Sequence, residues 1–447
     1  MRTSPAPAAS ADKKQVNVRA VVTTSLALIM AVLDGAIANI ALPSITSDFH
    51  ISPADSIWVV NSYQMAVLVL LLPLGSLGEI LGYRRIYTIG LGVFTIASLA
   101  CAFSPSLPAL VLARIVQGLG AAAIMSVNAG LLRVIYPPGQ LGRGLGINAL
   151  VVALASALGP TLASGLLSVG PWPILFAVNV PLGLMTLWIG RGALPTTALS
   201  ERRFDWPSAV LNGVTLVFAV IAIDGLGGRQ PWIQVAAELA TAAVFGAFLL
   251  ARQFKQTAPL VPIDLLSIRI FRLSVMASIF GFGAATLALV SLPFYFQHAL
   301  GYSAVETGLL MTPWPLALAL VAPIAGRLSD RHSPGLLGAI GLSLVCAGLL
   351  LLGLTGGANP LTLAAKLAIC GIGFGLFQAP NNRAMLTAAP PDRGGAAGGL
   401  LSTARLLGQS CGAAAAAVSL AATSGPSEAL LIGAGLGALG ALISRLR

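Results

Sequence analysis

Long apolar runs dominate the pattern of hydrophobic and polar positions along this chain. A helix needs about 20 apolar residues to cross the hydrocarbon core of a bilayer. The polar segments between the runs are short, so the chain has no room for a soluble catalytic domain. The pattern predicts fourteen membrane-spanning helices, at residues 20–42, 57–78, 86–103, 109–134, 144–168, 172–192, 207–226, 232–252, 273–297, 306–327, 335–355, 361–386, 395–421 and 428–445.

The composition agrees with this pattern. Hydrophobic residues make up 57% of the 447 positions, charged residues only 9%, and the mean hydropathy is +0.90. The runs are continuous rather than alternating, which favours helices over the strands of a β-barrel. The sequence therefore predicts an all-α polytopic membrane protein in contact with the lipid bilayer. Its net charge of +11 does not indicate a nucleic-acid partner, because the basic residues are scattered between the runs.

Basic residues concentrate on one side of the predicted membrane. With the N-terminus assigned to the cytoplasm, 21 of the 25 Lys and Arg residues lie on the cytoplasmic side. Because basic loops stay in the cytoplasm, both termini are expected there. We expect a multi-pass protein of the plasma membrane, which is the inner membrane in a bacterium. Residues 1–18 are polar and are expected to form a disordered cytoplasmic tail.

The chain also repeats itself. Three pairs of motifs recur in the same order, namely Gly75 to Glu79 and Gly326 to Asp330, Gly118 to Asn128 and Gly371 to Asn381, and Arg143-Gly144 and Arg393-Gly394. They predict two pseudo-symmetric six-helix bundles at residues 19–192 and 257–447. Residues 193–256 would then form an inserted two-helix hairpin with its linkers. Internal repeats around a central site are typical of secondary transporters.

Asp34 lies deep inside the first run. A carboxylate at membrane depth costs about 2.5–3.5 kcal/mol on insertion scales, which favours a functional role. We expect Asp34 to hold a proton and to face a cationic substrate in turn. The alternative is an acid that only bonds a neighbouring helix.

Arg114 and Gln117 lie one turn apart in the fourth run, on nearly the same face. Arg114 could extend outward to the membrane surface or point inward to a carboxylate such as Asp34. The inward alternative makes Asp34, Arg114 and Gln117 a candidate group for coupling protons to substrate.

The loop between the second and third runs combines glycines with charges. Glycines permit a tight turn there, and an acid could pair with a basic residue in one conformation only. The candidate gating residues are Gly75, Glu79, Gly82, Arg84 and Arg85, with Asp330 as the counterpart in the other half. The alternative is that Arg84 and Arg85 only fix the topology.

Two further sets of residues are candidates for movement and binding. Gly159-Pro160 in the fifth run predicts a kink, which suits a pivoting helix as well as ordinary packing. Polar, aromatic and Met side chains suit lipophilic cations, although such residues are often core. The predicted cavity lining is Asn61, Tyr63, Gln64, Met65, Met311, Trp314, Phe377 and Gln378. The scattered histidines and cysteines predict no metal site, and the sequence contains no nucleotide-binding P-loop.

Together these residues resemble the motifs of the major facilitator superfamily, and specifically its fourteen-span drug:proton antiporter branch. Leu33-Asp34 to Leu42-Pro43 is similar to the branch's first-span signature, and Gly75 to Arg85 to the superfamily's loop motif. Glu79 and Tyr83 replace the usual Asp and Arg of that loop. The other matches are Arg114, Gln117 and Gly118 in span four, Gly159-Pro160 in span five, and Trp172, Phe176, Asn179, Pro181 and Gly183 in span six.

The resemblance implies two bundles that rock about a central cavity and export drugs as protons enter. It implies that Asp34 binds substrate or proton, that Arg114 is its proton-transfer partner and that Gly159-Pro160 prevents leak. The implied substrates are lipophilic, cationic small molecules. The implied driving force is the proton gradient, with no cofactor, and a monomer is expected to function alone.

Two other functions stay open at this point. A dedicated exporter of a single metabolite or antibiotic could share every motif. A membrane-embedded enzyme or a channel is an alternative of another class. The sequence disfavours both members of that class, because it shows no polar catalytic cluster and because a channel needs no internal repeats.

Overall fold

The computed structural model describes residues 16–447 except 52, 57, 138–139, 198, 226–229, 255, 257–262, 303, 356–358, 391–393 and 423–425. All regular elements in these residues are helices. The first part of the chain contains α1 (Val18–Phe49), α2 (Pro53–Ser56), α3 (Trp58–Leu81), α4 (Tyr83–Ala102), α5 (Leu107–Ile135), α6 (Leu141–Leu167), α7 (Ile174–Ala177) and α8 (Asn179–Gly190). The predicted tail falls almost wholly outside the described residues.

The hairpin and the second part of the chain follow in the same manner. Their helices are α9 (Trp206–Gly225), α10 (Trp232–Gln253), α11 (Ile263–Ser267), α12 (Arg269–Phe294), α13 (Ala304–Met311), α14 (Pro313–Leu328), α15 (Pro334–Thr355), α16 (Pro360–Ala388), α17 (Gly394–Ala422) and α18 (Pro426–Arg445). A single π-helical segment, Tyr295–Ala299, continues directly from α12.

Eleven helices of the described chain are long and apolar enough to cross a membrane, and Ile174–Gly190 is a shorter apolar segment. Helices also lie in the remaining predicted runs, as α6 and α17. The chain is therefore an all-helical, multi-pass membrane protein. The count of fourteen spans, the bundle boundaries and the side on which the termini lie stay predictions.

The two halves repeat the same close helix crossing. On α5, a Cβ at Gly120 would lie 2.5 Å from the backbone N of Phe94 on α4. On α16, a Cβ at Gly373 would lie 2.5 Å from the carbonyl O of Gly341 on α15. Only glycine permits backbones to approach this closely, which is a common basis of helix packing in lipid. The apolar cores of the two halves form around these crossings.

The helices α9 and α10 pack against each other as a hairpin. The amide of Asn212 on α9 donates to the carbonyl O of Val69 on α3 at 3.1 Å, which fastens the hairpin to the first bundle. At its base, burial alone would raise the pKa of Asp205, but hydrogen bonds from Ser208, Gln256 and Arg252 lower that pKa to about 2. The carboxylate thus ties the two ends of the hairpin together.

The two bundles meet where α3 ends and α17 begins. A Cβ at Gly398 would lie 2.9 Å from Cβ of Ala129 on α5, and one at Gly399 would lie 3.1 Å from Cδ2 of Leu72 on α3. The first turn of α4 at this end carries Arg84 and Arg85, so it is called the basic end below. The charge pattern predicts that the basic end faces the cytoplasm.

Candidate functional site

A buried ion pair occupies the middle of the first bundle. Asp34 lies about halfway along α1 and is only 3% exposed. Nη1 of Arg114 on α5 donates to Oδ2 of this carboxylate. Nε2 of Gln117 and Nδ2 of Asn179 donate to Oδ1 at 2.8 and 2.9 Å. The carboxylate is therefore saturated by one cation and two amides.

Arg114 is fixed from several sides and is fully buried. Its Nε donates to the carbonyl O of Val59 at 2.9 Å, and Nη1 also donates to Oε1 of Gln117 at 2.7 Å. The guanidinium lies 4.3 Å from the ring centre of Tyr63 and 5.4 Å from that of Phe176. Nη2 is buried and has no hydrogen-bond partner in the described part of the chain. Of the two alternatives for Arg114, the structure shows the inward one.

A glycine in α5 explains how this helix brings Arg114 and Gln117 to the site. A Cβ at Gly118 would lie 2.7 Å from the carbonyl O of Tyr63, so glycine lets α5 lie directly against α3. Gln117 then reaches both Asp34 and Oγ of Ser98 on α4, the latter at 2.9 Å. The hydroxyl of Tyr63 donates to the carbonyl O of Ala31 at 2.8 Å, which fixes the ring under Arg114.

Asn179 contacts Asp34 and Phe176 contacts Arg114, although neither residue was among the predicted site residues. Val178 has helical backbone angles and joins α7 directly to α8, and Asn179 at the start of α8 lies beside Asp34. Both residues belong to the sixth-span pattern of the resemblance, which was the available signal. No periodicity or charge in their own segment pointed to Asp34.

The second half carries uncharged residues at the equivalent positions. The repeat aligns Gly118 with Gly371, so the positions of Arg114 and Gln117 correspond to Leu367 and Cys370. Both are fully buried in an apolar core. The backbone crossing is therefore symmetric, whereas Arg114 and Gln117 have no polar counterpart at these two positions.

The predicted gating residues surround a sharp turn at the basic end. Gly82 has φ of +93°, a conformation that favours glycine, and it joins α3 to α4 without a longer loop. The linker after α8 closes over this turn, because Ser200 N donates to the carbonyl O of Glu79 at 2.9 Å. A cleft of about 790 Å³ lies between them and is lined by Arg84 and Arg85, among others.

The remaining gating residues lie on separate helices. Gly75 faces Ser126 of α5 across ordinary contact distance. Asp330 forms an ion pair with Arg383 of α16, and Nη1 of Arg383 also donates to Oγ of Ser329 at 3.0 Å. This pair lies within the second half and does not join the two halves. The gating roles stay predictions.

Helix α6 continues through positions 159 and 160 and packs against α1 and α14. Gly159 is buried, whereas the side chain of Pro160 lies outside the described residues. The predicted kink is therefore untested.

The predicted cavity residues divide into three groups. Tyr63 is 4% exposed and lies under Arg114, as described above. Trp314 and Phe377 are 4% and 0% exposed and pack in the apolar core of the second half. The structure thus places these two rings in the core and not at an open cavity, because glycines such as Gly281 let neighbouring helices close around them. The other members, Asn61, Gln64, Met65, Met311 and Gln378, are half-buried, and their role in a cavity stays a prediction.

Repeated helical bundles around a buried, polar site are typical of secondary transporters. Within the described residues, no three His, Cys, Asp or Glu side chains are grouped as metal ligands would be. The family model described as Major Facilitator Superfamily matches residues 24–413. The chain belongs to the major facilitator superfamily.

Relatives support a place in the drug:proton antiporter branch. The chain is 50% identical to the "Uncharacterized transporter YebQ" of Escherichia coli over 96% of its own length and 95% of that protein. It is 31% identical to the "Riboflavin transporter RibZ" of Clostridioides difficile, covering 87% and 85% of the two chains. It is also 31% identical to the "Multidrug resistance protein Stp" of Mycobacterium tuberculosis, covering 90% and 75%.

A solved structure shares the fold. The crystal structure of the human organic anion transporter MFSD10 (TETRAN) superposes with a TM-score of 0.68. It covers 96% of this chain and all of the other, at 16% sequence identity. This similarity shows the fold alone.

Proposed function

We propose that this protein is a proton-coupled exporter of lipophilic small molecules, and that Asp34 is the group that accepts the proton. The observation that carries the proposal is the saturated, 3% exposed carboxylate paired with Arg114. A buried ion pair contributes little to stability by itself. Its place in a membrane span favours a function.

Protonation of Asp34 would act as a switch. A neutral carboxyl no longer compensates the charge of Arg114, and one of its oxygens becomes a donor. Removing one partner of a buried pair costs about 3–5 kcal/mol, which is enough to change the populations of two packed conformations. Asn179 and Gln117, from two other helices, would transmit the change to α8 and α4.

Lipophilic substrates fit the family relatives named for multidrug resistance. The prediction that the substrate is cationic agrees less well with the ion pair at the site. Asp34 suggested a cationic substrate, but Arg114 is already its counter-ion, so a substrate cation would have to displace a fully buried arginine.

The test is a transport assay in proteoliposomes in which a pH jump drives a lipophilic fluorescent dye. We expect Asp34→Asn to abolish proton-driven uptake while dye binding to the purified protein persists. The double variant Asp34→Asn/Arg114→Gln removes both charges and provides a second, better-packed protein for the same assay. Proton-driven uptake by either variant at the wild-type rate would contradict the proposal.

Glu238 provides the matched control. It is also an acid in a membrane span and is 8% exposed, but its described partners, Gln234 on α10 and Gln230 just before α10, both belong to the hairpin. Glu238→Gln is therefore expected to transport at close to the wild-type rate.

A dedicated exporter is the second candidate function. It is favoured by the relative named as a riboflavin transporter. A panel of structurally unrelated dyes and antibiotics separates the two candidates. We expect uptake of several unrelated compounds, whereas transport of a single compound would identify a dedicated exporter.

A further inference from the structure

A second arginine, Arg405, lies at membrane depth in the other bundle. It is half-buried and lies about 16 Å along α17 from Gly394, at a rise of 1.5 Å per residue. Its Nε is buried and donates to no described atom. Among the described residues, no carboxylate forms an ion pair with it.

Arg405 lies on α17 between the positions that contact the first bundle and those that contact α12. Gly398 and Gly412 are each seven residues, or about two helical turns, from Arg405, so all three positions point in nearly the same direction. Gly398 contacts Ala129 of α5 in the first bundle, whereas Gly412 packs against Gly283 of α12 in its own bundle. Arg405 therefore lies where the two bundles adjoin, deeper in the membrane than the contact at the basic end.

The helices that pack against α17 carry acids only near their ends. Of these helices, α5, α12 and α16 contain no acid, and α3, α9 and α18 each contain one, namely Glu79, Asp224 and Glu428, within three residues of a helix end. Arg405 instead lies near the middle of α17. Gly399 meets Leu72 of α3, and Glu79 and Arg405 lie on opposite sides of that contact. Their separation along the helix axes is about 20 Å at 1.5 Å per residue, far beyond an ion pair.

The fold itself does not require a cation here. The repeat aligns Arg143-Gly144 with Arg393-Gly394, so Arg405 corresponds to Ala155 of α6 in the first half. Ala155 is 3% exposed and apolar. An unpaired cation in a membrane span is costly and marks a functional site by default.

We propose that Arg405 binds the oxyanionic group of a lipophilic substrate, such as a carboxylate, phenolate or sulfonate. The inference rests on the proposed export function and adds the charge class of the substrate. Because Arg114 and Asp34 neutralise each other, Arg405 leaves one net positive charge at the interface between the bundles. A guanidinium is a planar fork that donates two parallel hydrogen bonds to a carboxylate. Apolar neighbours such as Leu406, which is 9% exposed, suit the rest of such a molecule.

The test compares two xanthene dyes of similar size and opposite charge, fluorescein and rhodamine 6G. Binding to the full-length protein is measured by fluorescence anisotropy in neutral detergent without lipid, so that lipid phosphates do not compete. The wild type is expected to bind fluorescein more tightly than rhodamine 6G. Arg405→Gln should weaken fluorescein binding by about tenfold or more, as expected for a lost hydrogen bond between charged groups.

The controls distinguish charge from folding. Arg405→Lys keeps the charge and is expected to bind fluorescein within about threefold of the wild type, since one charge-assisted bond persists. Arg331→Gln removes an exposed arginine and should change neither the affinity for fluorescein nor the affinity for rhodamine 6G. If the wild type prefers rhodamine 6G, or if Arg405→Gln binds fluorescein as the wild type does, the inference is wrong. These binding measurements need no proton gradient, so failure of proton-driven export appears separately in the pH-jump assay.

Discussion

At the scale of single residues, the pairing of Asp34 and Arg114 makes each dependent on the other. Both side chains are almost completely buried, at 3% and 0% exposure. Each charge alone would lack a counter-ion in a medium that water does not reach. The free-energy cost of burying an unpaired charge therefore arises only when one partner changes its charge.

The energetic prediction follows from this dependence. Arg114→Gln should lower the free energy of unfolding by about 3–5 kcal/mol, because Asp34 is left buried without its cation. The double variant Asp34→Asn/Arg114→Gln should recover most of that loss, since it buries no unpaired charge. Unfolding in mixed detergent micelles, followed by circular dichroism, measures the three free energies of a double-mutant cycle.

The exposed pair of Asp330 and Arg383 is the control for this cycle. Its side chains are 61% and 45% exposed, so solvent screens their attraction. Arg383→Gln should cost less than about 1 kcal/mol. Equal losses for Arg114→Gln and Arg383→Gln would show that burial of the first pair has no energetic consequence.

At the scale of elements, α17 joins the two bundles at the basic end. Its glycines let α3 and α5 approach within contact distance, and residues such as Leu406 complete the apolar core of the first bundle. Because this contact depends on the absence of side chains, a larger residue at either glycine would prevent it. In a transporter that works by alternating access, contacts between the two bundles form and open during the cycle.

A larger side chain at Gly398 is expected to open the basic end. The Cβ of Gly398→Val would lie 2.9 Å from Ala129, which is tighter than packed side chains tolerate. Spin labels are placed at the exposed positions Thr88 of α4 and Leu336 of α15, in a background without native cysteines. The distance between the two labels reports the separation of the two bundles. Double electron–electron resonance should show a shift of this distance to larger values.

The matched control is Gly435→Val on α18. A Cβ at Gly435 meets nothing within 4 Å, so the added side chain finds open space. The distance distribution should match that of the wild type. A shift of the same size in both variants would indicate general loosening of the helices instead of opening at the α17 contact.

At the scale of the whole molecule, two similar bundles carry different charges. The glycine crossings of α4 with α5 and of α15 with α16 correspond to each other. Yet the first bundle holds a neutral pair, and the second holds Arg405 without a described partner. The repeat therefore provides the same helix crossing in both halves, while we propose that proton binding and substrate binding are divided between them.

The predicted topology is testable with single cysteines and a membrane-impermeant maleimide. Four exposed positions between helices are used, namely Ser106, Arg202, Pro231 and Ser333, in a background without native cysteines. Ser106→Cys and Pro231→Cys should react in intact cells. Arg202→Cys and Ser333→Cys should react only after the membrane is permeabilised, because basic loops face the cytoplasm. Labelling of Pro231→Cys and Arg202→Cys from the same side would contradict a spanning hairpin and hence fourteen spans.

The sequence by itself determined the helical, multi-pass class, because an apolar run of about 20 residues has few alternatives in lipid. It also indicated that Asp34, Arg114 and Gln117 are candidate functional residues, since polar groups are costly in such runs. The repeat of Gly118 and Gly371 was visible as a pattern before the crossings were known.

Only the tertiary structure decided which of these groups meet. The partners of Asp34 come from α5 and α8, which are distant in sequence. Helical periodicity describes the face of one helix and contains no information on which other helix packs there. For the same physical reason, only the tertiary structure showed that Arg405 forms no ion pair among the described residues, whereas Arg114 pairs with Asp34.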